Sequence, residues 1–326
     1  MWPAISISLI AFFVAALAVG WLARSPAARL ALDEPNARSL HATAVPRTGG
    51  IGLLLGIAAG WAVVGPQLPW AFWAAATVLI AISLLDDLHG LSAAVRLGAH
   101  LLAAALATIA LLPIPAVLPA AIMVLAIGWM CNLYNFMDGS DGLAGGMTVS
   151  GFLFFAIAAA LAGSTQFALL NLAIAAAAAG FLLHNFHPAR IFLGDAGSVP
   201  LGFLAAAFGI TGWLQHDWTW WFPLLVFSPF IVDASVTLAR RLSSGARVWE
   251  AHRDHYYQRL VQLGLGHRNT ALAEYALMAA CGLTALWAMT LADTAQHAVL
   301  AATVLLYAGL IAGIERAWRT RRATNA

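Results

Sequence analysis

The sequence predicts an all-α polytopic membrane protein, a single domain of about eleven transmembrane helices over residues 1–326. Three observations carry that expectation. The chain is 62% hydrophobic and 9% charged with a mean hydropathy of +0.84, whereas a soluble domain is about 25% charged. Apolar runs close to the ~20 residues that cross a bilayer recur along its length. All 16 basic residues are arginine, and all fall in one alternate set of connecting segments.

The runs lie at 2–23, 49–65, 69–86, 91–112, 116–135, 143–162, 167–186, 197–214, 218–236, 272–292 and 296–314. The first has no basic stretch before it and is followed by Arg24, the pattern of a retained span rather than a cleaved signal peptide. One set of connections is short and nearly uncharged: GPQLPW, PIPAVLP, GSTQ, QHD and DTAQH. The other set comprises 24–48, the ends near 86–96, 136–142, 187–196, 237–271 and the tail from Glu315. Arginine-bearing loops stay in the cytoplasm, so this second set faces inward and the N-terminus lies outside. Trp70, Trp73, Trp213, Trp218, Trp220 and Trp221 gather near the arginine-free ends, as an interfacial aromatic belt does. Cys131 and Cys281 lie in apolar runs without metal or redox spacing and read as small buried hydrophobes.

Polar chemistry collects on the arginine side. The stretch NLYNFMDGSDGLAGG, residues 132–146, sets Asn132, Asn135, Asp138 and Asp141 among four glycines. An uncompensated carboxylate in lipid costs several kcal/mol or more, so this window meets water, a cation or a ligand. LLDDLHG places Asp86 and Asp87 at a helix end, where a metal or an ordinary wet loop edge accounts for the pair. In GDAGS, Asp195 and Ser198 either cap a helix or face a ligand. The segment 34–50 carries Arg38, His41 and Arg47 before a diglycine, a basic surface loop when read alone. The longest polar segment, 239–269, offers His252, Arg253, His255 and Arg259, suited to phosphate or to lipid headgroups. Five such clusters on one membrane face, carboxylates with arginines, form a typical arrangement for handling a diphosphate with a divalent ion. No G-x-x-x-x-G-K stretch is present, which argues against ATP hydrolysis by a phosphate-binding loop.

These motifs resemble the polyprenyl-phosphate N-acetylhexosamine-1-phosphate transferases, glycosyltransferase family 4, and within them the bacterial branch that starts O-antigen and related surface glycans. DEPNARSLHATAVPRTGG, LLDDLHGLSAAVRLGAH, NLYNFMDGSDGLAGG, NFHPARIFLGDAGSVPLG and AHRDHYYQRL follow in the family's order and cover nearly the whole chain. The resemblance implies ten or eleven helices around a cytoplasm-facing catalytic groove in the bacterial inner membrane. It implies transfer of a sugar-1-phosphate from a UDP-N-acetylhexosamine to undecaprenyl phosphate, with release of UMP and with Mg²⁺ or Mn²⁺ as cofactor. By matched motif, Asn135 and Asp195 are the Mg²⁺ ligands, and Asn132, Asp138 and Asp141 lie by the nucleotide. Asp86 or Asp87 acts at the lipid phosphate; Arg47, Arg96, Arg253, His252 and His255 contact substrate. Where the peptidoglycan-precursor branch has consecutive histidines, this chain reads His-Arg-Asp-His, which argues against a MurNAc-pentapeptide substrate. Asp254 among phosphate binders is expected to point away and orient Arg253.

The partners expected are therefore the UDP-sugar, the polyprenyl phosphate and membrane lipids, with no nucleic acid and with room for a homodimer. A transporter of an anionic solute is the alternative, since intramembrane charges mark transport sites. The polar clusters sit at one face only, which disfavours it. An intramembrane aspartyl protease, suggested by Gly194-Asp195, needs two aspartates facing each other within the bilayer, and Asp195 falls at the interface.

Overall fold

A backbone N–H or C=O left unpaired in lipid costs several kcal/mol, and an α-helix pairs them all internally, so each apolar run folds as a helix. The computed structural model describes residues 2–29, 31–33, 44–112, 116–247 and 252–325. Arg38 and His41 lie outside the described residues. In chain order the helices are α1 (Trp2–Leu22), α2 (Gly49–Val64), α3 (Trp70–His89), α4 (Ala93–Leu111), α5 (Val117–Phe136), α6 (Leu143–Leu161) and α7 (Thr165–Asn185). There follow α8 (Asp195–Leu214), α9 (Phe222–Val226), α10 (Ser228–Ser243), α11 (Tyr256–Leu260), α12 (Gly266–Ala288) and α13 (Asp293–Asn325). A two-residue antiparallel pairing joins β1 (Leu32–Asp33) to β2 (Val45–Pro46), Leu32 opposite Pro46. Local chemistry sets several ends. Gly65 (φ 65°) and Gly90 (φ 69°) close α2 and α3 in a backbone region that β-carbons disfavour. Ser92 opens α4 by accepting the Val95 N–H at 3.4 Å.

Among the described residues, nine helical units are long and apolar enough to cross a membrane, and the chain is a multi-pass membrane protein. The other two expected spans differ. α2 has only 16 residues. The run at 218–236 is not one helix but α9 and α10, broken at Phe227. Pro229 is the cause: it has no N–H for the Leu225 carbonyl, which accepts the Ser228 hydroxyl at 2.7 Å instead. The predicted loop 237–271 is also more helical than expected. α11 runs into α12 through a π-helical turn at Val261–Leu265, where Gly264 takes φ 110°. α13 continues past the expected end at 314 to Asn325.

Small residues bring α1, α2 and α7 into contact. Gly52, Gly56 and Gly60 stand one turn apart on α2; a β-carbon on Gly56 would lie 2.6 Å from the Ala11 carbonyl oxygen. α8 lies inside the bundle, packed against α3 and α5, and is buried over most of its length. The N-termini of α2, α4, α6 and α8 thereby share one end with the C-termini of α3, α5 and α7. An aromatic cluster of Phe155, Phe167, Phe208, Trp218 and Phe222 fills the core toward the other end of α6 to α8.

Candidate active site

The segment before α2 is laid along the segment before α8. Phe192 donates its N–H to the Pro46 carbonyl (2.7 Å), Gly49 to Phe192 (2.9 Å) and Gly50 to Leu193 (2.8 Å). This pairing puts Arg47 over the start of α8, where one guanidinium nitrogen lies 4.0 Å from an Asp87 carboxylate oxygen. Gly194 takes φ 72°, and a β-carbon there would stand 2.2 Å from the Arg47 carbonyl oxygen, so only glycine fits.

The two adjacent aspartates of α3 divide their work. Asp87 is 7% exposed and accepts the N–H groups of Asp195 (3.2 Å) and Ala196 (2.9 Å), which makes it the cap of α8. Asp86 turns the other way, accepting the Leu91 N–H and, at 3.1 Å, the Arg96 guanidinium. The same Arg96 nitrogen stands 3.7 Å from Asp195. Asn135, at the end of α5, donates to Asp195 Oδ1 (2.7 Å) and to Ser198 Oγ (3.1 Å). Asp86, Asp195, Asn135, Arg96, Asp87 and Arg47 thus converge. Asp138 joins them from the loop after α5. Its own burial, then the charges of Asp195, Asp87 and Asp33, push its carboxyl well above the usual range.

Asp141 lies beside this centre in a pair of histidines. His187 Nδ1 is 2.6 Å from its carboxylate, His267 Nδ1 is 3.9 Å away, and the two imidazoles stack at 5.8 Å. Asn132 sits one turn back on α5, donating to the Gly128 carbonyl at 2.8 Å. The basic loop docks on the α5 end: Tyr257 donates to the Phe136 carbonyl at 3.1 Å, and the His255 ring lies 6.2 Å from that of Phe136. His255 is 4% exposed and faces Asp233 at 3.1 Å, so it holds the loop rather than pointing outward. His252 stacks on His255 and is pushed down to about pKa 4 by burial and by the neighbouring His255 and Arg241, so it is neutral at pH 7. Arg253 is exposed, and its guanidinium has no partner among the described residues. Asp254 does point away, but it pairs with Arg241 at 2.5 Å and not with Arg253.

Sequence reasoning passed over two organising carboxylates. Asp233 accepts the Tyr256 and Tyr257 N–H groups, both at 2.9 Å, and so caps α11. Glu315 binds Arg240, Arg259 (2.8 Å) and Tyr256 (3.2 Å), tying α13 to the loop helix. Both had a signal: Asp233 is an acid inside an apolar run, and Glu315 is the first charge after one.

The donor set suits a hard divalent cation. Carboxylate and amide oxygens crowd together with mutual repulsion, and Asn135 turned over presents its oxygen where its nitrogen now lies. Among the described residues no three His, Cys, Asp or Glu side chains form a ready-made cage. Mg²⁺ is commonly held by one or two carboxylates, with substrate phosphates and water completing the shell.

A family model described as glycosyl transferase family 4 matches residues 69–213. The chain is 30% identical to a probable undecaprenyl-phosphate N-acetylglucosaminyl 1-phosphate transferase of Bacillus subtilis, over 75% of this chain and 74% of the relative. It is 29% identical to a decaprenyl-phosphate N-acetylglucosaminephosphotransferase of Mycobacterium tuberculosis, over 77% and 74% respectively. It is 26% identical to an undecaprenyl-phosphate alpha-N-acetylglucosaminyl 1-phosphate transferase of Yersinia pestis, over 97% and 93%. Fold, site and relatives together define a multi-pass membrane phosphoglycosyltransferase. The chain belongs to glycosyl transferase family 4, the polyprenyl-phosphate hexosamine-1-phosphate transferases.

Proposed function

We propose that this enzyme transfers N-acetylhexosamine-1-phosphate from a UDP-sugar to undecaprenyl phosphate, forming the lipid-diphosphate-linked sugar that begins O-antigen or a related surface glycan. The observation that carries the proposal is the meeting of Asp86 and Asp195 on one guanidinium, Arg96, beside Asn135. Arg47 Nε and Thr48 Oγ1, close by in sequence, are buried without a hydrogen-bond partner among the described residues.

An oxygen of the acceptor phosphate attacks the sugar-bearing phosphorus of the donor; its bond to the UMP oxygen breaks, and UMP leaves with the electron pair. A phosphate monoester has a second pKa near 6, so the acceptor is largely dianionic at neutral pH and needs little help from a base. The difficulty is repulsion between the two phosphates, and Arg47 and Arg96 are placed to reduce it. Asp87, held as the cap of α8, keeps Asp195 oriented, which leaves Asp86 as the aspartate available to the acceptor. Asn135 and Asp195 would hold Mg²⁺ or Mn²⁺, whose chemistry is to neutralise the phosphates during transfer. Asp138 and Asp141 face the donor nucleotide, and Arg253 its diphosphate.

An apolar groove of about 390 Å³ runs between α2, α3 and α8, lined by Ile57, Trp61, Phe72, Ile80, Pro200 and Phe203 among others. Ile80 and Pro200 stand roughly one and a half helical turns from Asp86 and Asp195, so the groove suits the first isoprene units of the acceptor. One-sided arginines support an orientation with the site on the cytoplasmic face of the bacterial inner membrane and the N-terminus outside.

The test is to incubate the purified enzyme with undecaprenyl phosphate, Mg²⁺ and a panel of labelled UDP-N-acetylhexosamines. Label in the lipid fraction with stoichiometric UMP is expected from one donor or a few. No lipid label from any of them, with solute flux through proteoliposomes instead, would return the transporter reading.

A further inference from the structure

α13 is longer than a membrane requires. Its apolar part ends at Ile314, 22 residues from Asp293 and about 33 Å long, already the thickness of a hydrocarbon core. The helix nevertheless continues for eleven residues to Asn325, about 16 Å more, as ERAWRTRRATN. This extension holds four arginines and one carboxylate. The carboxylate, Glu315, faces inward, where Arg240 and Arg259 already use it, so it does not neutralise the extension. Arg316, Arg319, Arg321 and Arg322 are all exposed. Among the described residues, two of the four side chains have a partner: Arg322 lies over the Trp318 ring at 5.4 Å, and Arg321 donates to the Gln262 carbonyl. Trp318 is itself clamped under Arg259 at 5.2 Å, half-buried at the level where the chain leaves the apolar zone.

We propose that this extension is a docking surface for the anionic headgroups of bilayer phospholipids. The charge is complementary, and the helix emerges at headgroup depth. Trp318 and the Glu315 clamp fix the extension against α11 and the π turn, so its arginines stand in one place rather than trailing in solvent. Arginine forks bind phosphodiester oxygens in pairs, and each basic residue near such a surface contributes about 1 kcal/mol. The Arg316 carbonyl accepts the Thr320 hydroxyl at 3.1 Å, but the guanidinium groups of Arg316 and Arg319 are exposed and have no hydrogen-bond, ion-pair or ring partner among the described residues, which leaves both for lipid.

The experiment uses the full-length protein in neutral detergent. Retained lipid is read by native mass spectrometry, and thermal stability by melting, as phosphatidylglycerol or phosphatidylcholine is added. The native protein is expected to retain phosphatidylglycerol preferentially and to melt higher in its presence, an effect that fades in high salt. R316Q/R319Q is expected to bind it about fivefold more weakly per arginine removed, and R316K/R319K to keep most of the preference. Three results would overturn the proposal. They are equal retention of the two lipids by the native protein, an unchanged preference in R316Q/R319Q, and an equal rise in melting temperature from inorganic phosphate alone. The salt and headgroup comparisons on the native protein decide the matter even if a variant does not fold.

Discussion

Asp87 on α3 accepts the backbone N–H of Ala196, 109 residues further along the chain, at 2.9 Å, and that of Asp195 at 3.2 Å. One carboxylate therefore closes the α8 helix and aims Asp195 at the same time. Its removal is a structural lesion first: Asp87→Ala should cost about 1–2 kcal/mol, the scale of a lost helix cap, and should lower the melting temperature in detergent. Asp86→Ala gives up the Leu91 and Arg96 contacts but removes one of the crowded carboxylates, so it should destabilise less than Asp87→Ala while transfer falls steeply. Equal destabilisation by the two substitutions would contradict this division of labour.

Asp195→Asn should abolish transfer while leaving the protein folded. The amide keeps its size and can still accept the Asn135 contact. Added Mg²⁺ should raise the melting temperature of the native enzyme and not that of the variant. Near-normal turnover in the variant at limiting Mg²⁺ would remove Asp195 from the metal site.

Arg253 separates a donor contact from a lipid contact. Charge-assisted bonds to phosphate contribute roughly 1.5–3 kcal/mol, so Arg253→Ala should lower kcat/KM for the UDP-sugar by about tenfold to a hundredfold or somewhat more. Arg253→Lys, with a point charge instead of a planar fork, should fall between. An unchanged kcat/KM in purified Arg253→Ala would mean that this loop touches only lipid.

His252 gives a pH dependence. Its folded pKa, about 4, lies below the ordinary 6.5 because of burial and then the charges of His255 and Arg241. The folded state thus disfavours the proton: its stability is intact above 6.5 and declines as pH falls toward 4. His252→Gln should flatten the melting temperature between about pH 6.5 and 4. A slope identical to that of the native protein would show that His252 is not its source.

Glu315→Gln tests the strut between α13 and the loop helix. Losing the charge unpairs Arg240 and Arg259, and the loop bearing Arg253 should lose its fixed position. KM for the donor should rise several-fold, and Glu315→Asp should rescue it only in part. Donor KM unchanged, with lower stability alone, would make the strut merely architectural.

Much of this molecule was legible in its residues. Apolar length and one-sided arginine determined a helical membrane protein with its polar chemistry at one face, because lipid admits only internally paired backbone and disfavours charge. Motif order pointed to Asp86, Asp87, Asn135, Asp138 and Asp195 as candidates for one site. Tertiary structure alone decided which of two adjacent aspartates caps a helix, since residues i and i+1 on a helix point about 100° apart and only the position of α8 selects between them. It also decided that Asp254 pairs with Arg241, and that Asp233 and Glu315 organise the basic loop. Those contacts join helix ends far apart in the chain. Hydropathy reports which segments avoid water, but it carries no information on which helix ends meet; packing of small residues along α1, α2, α7 and α8 settles that.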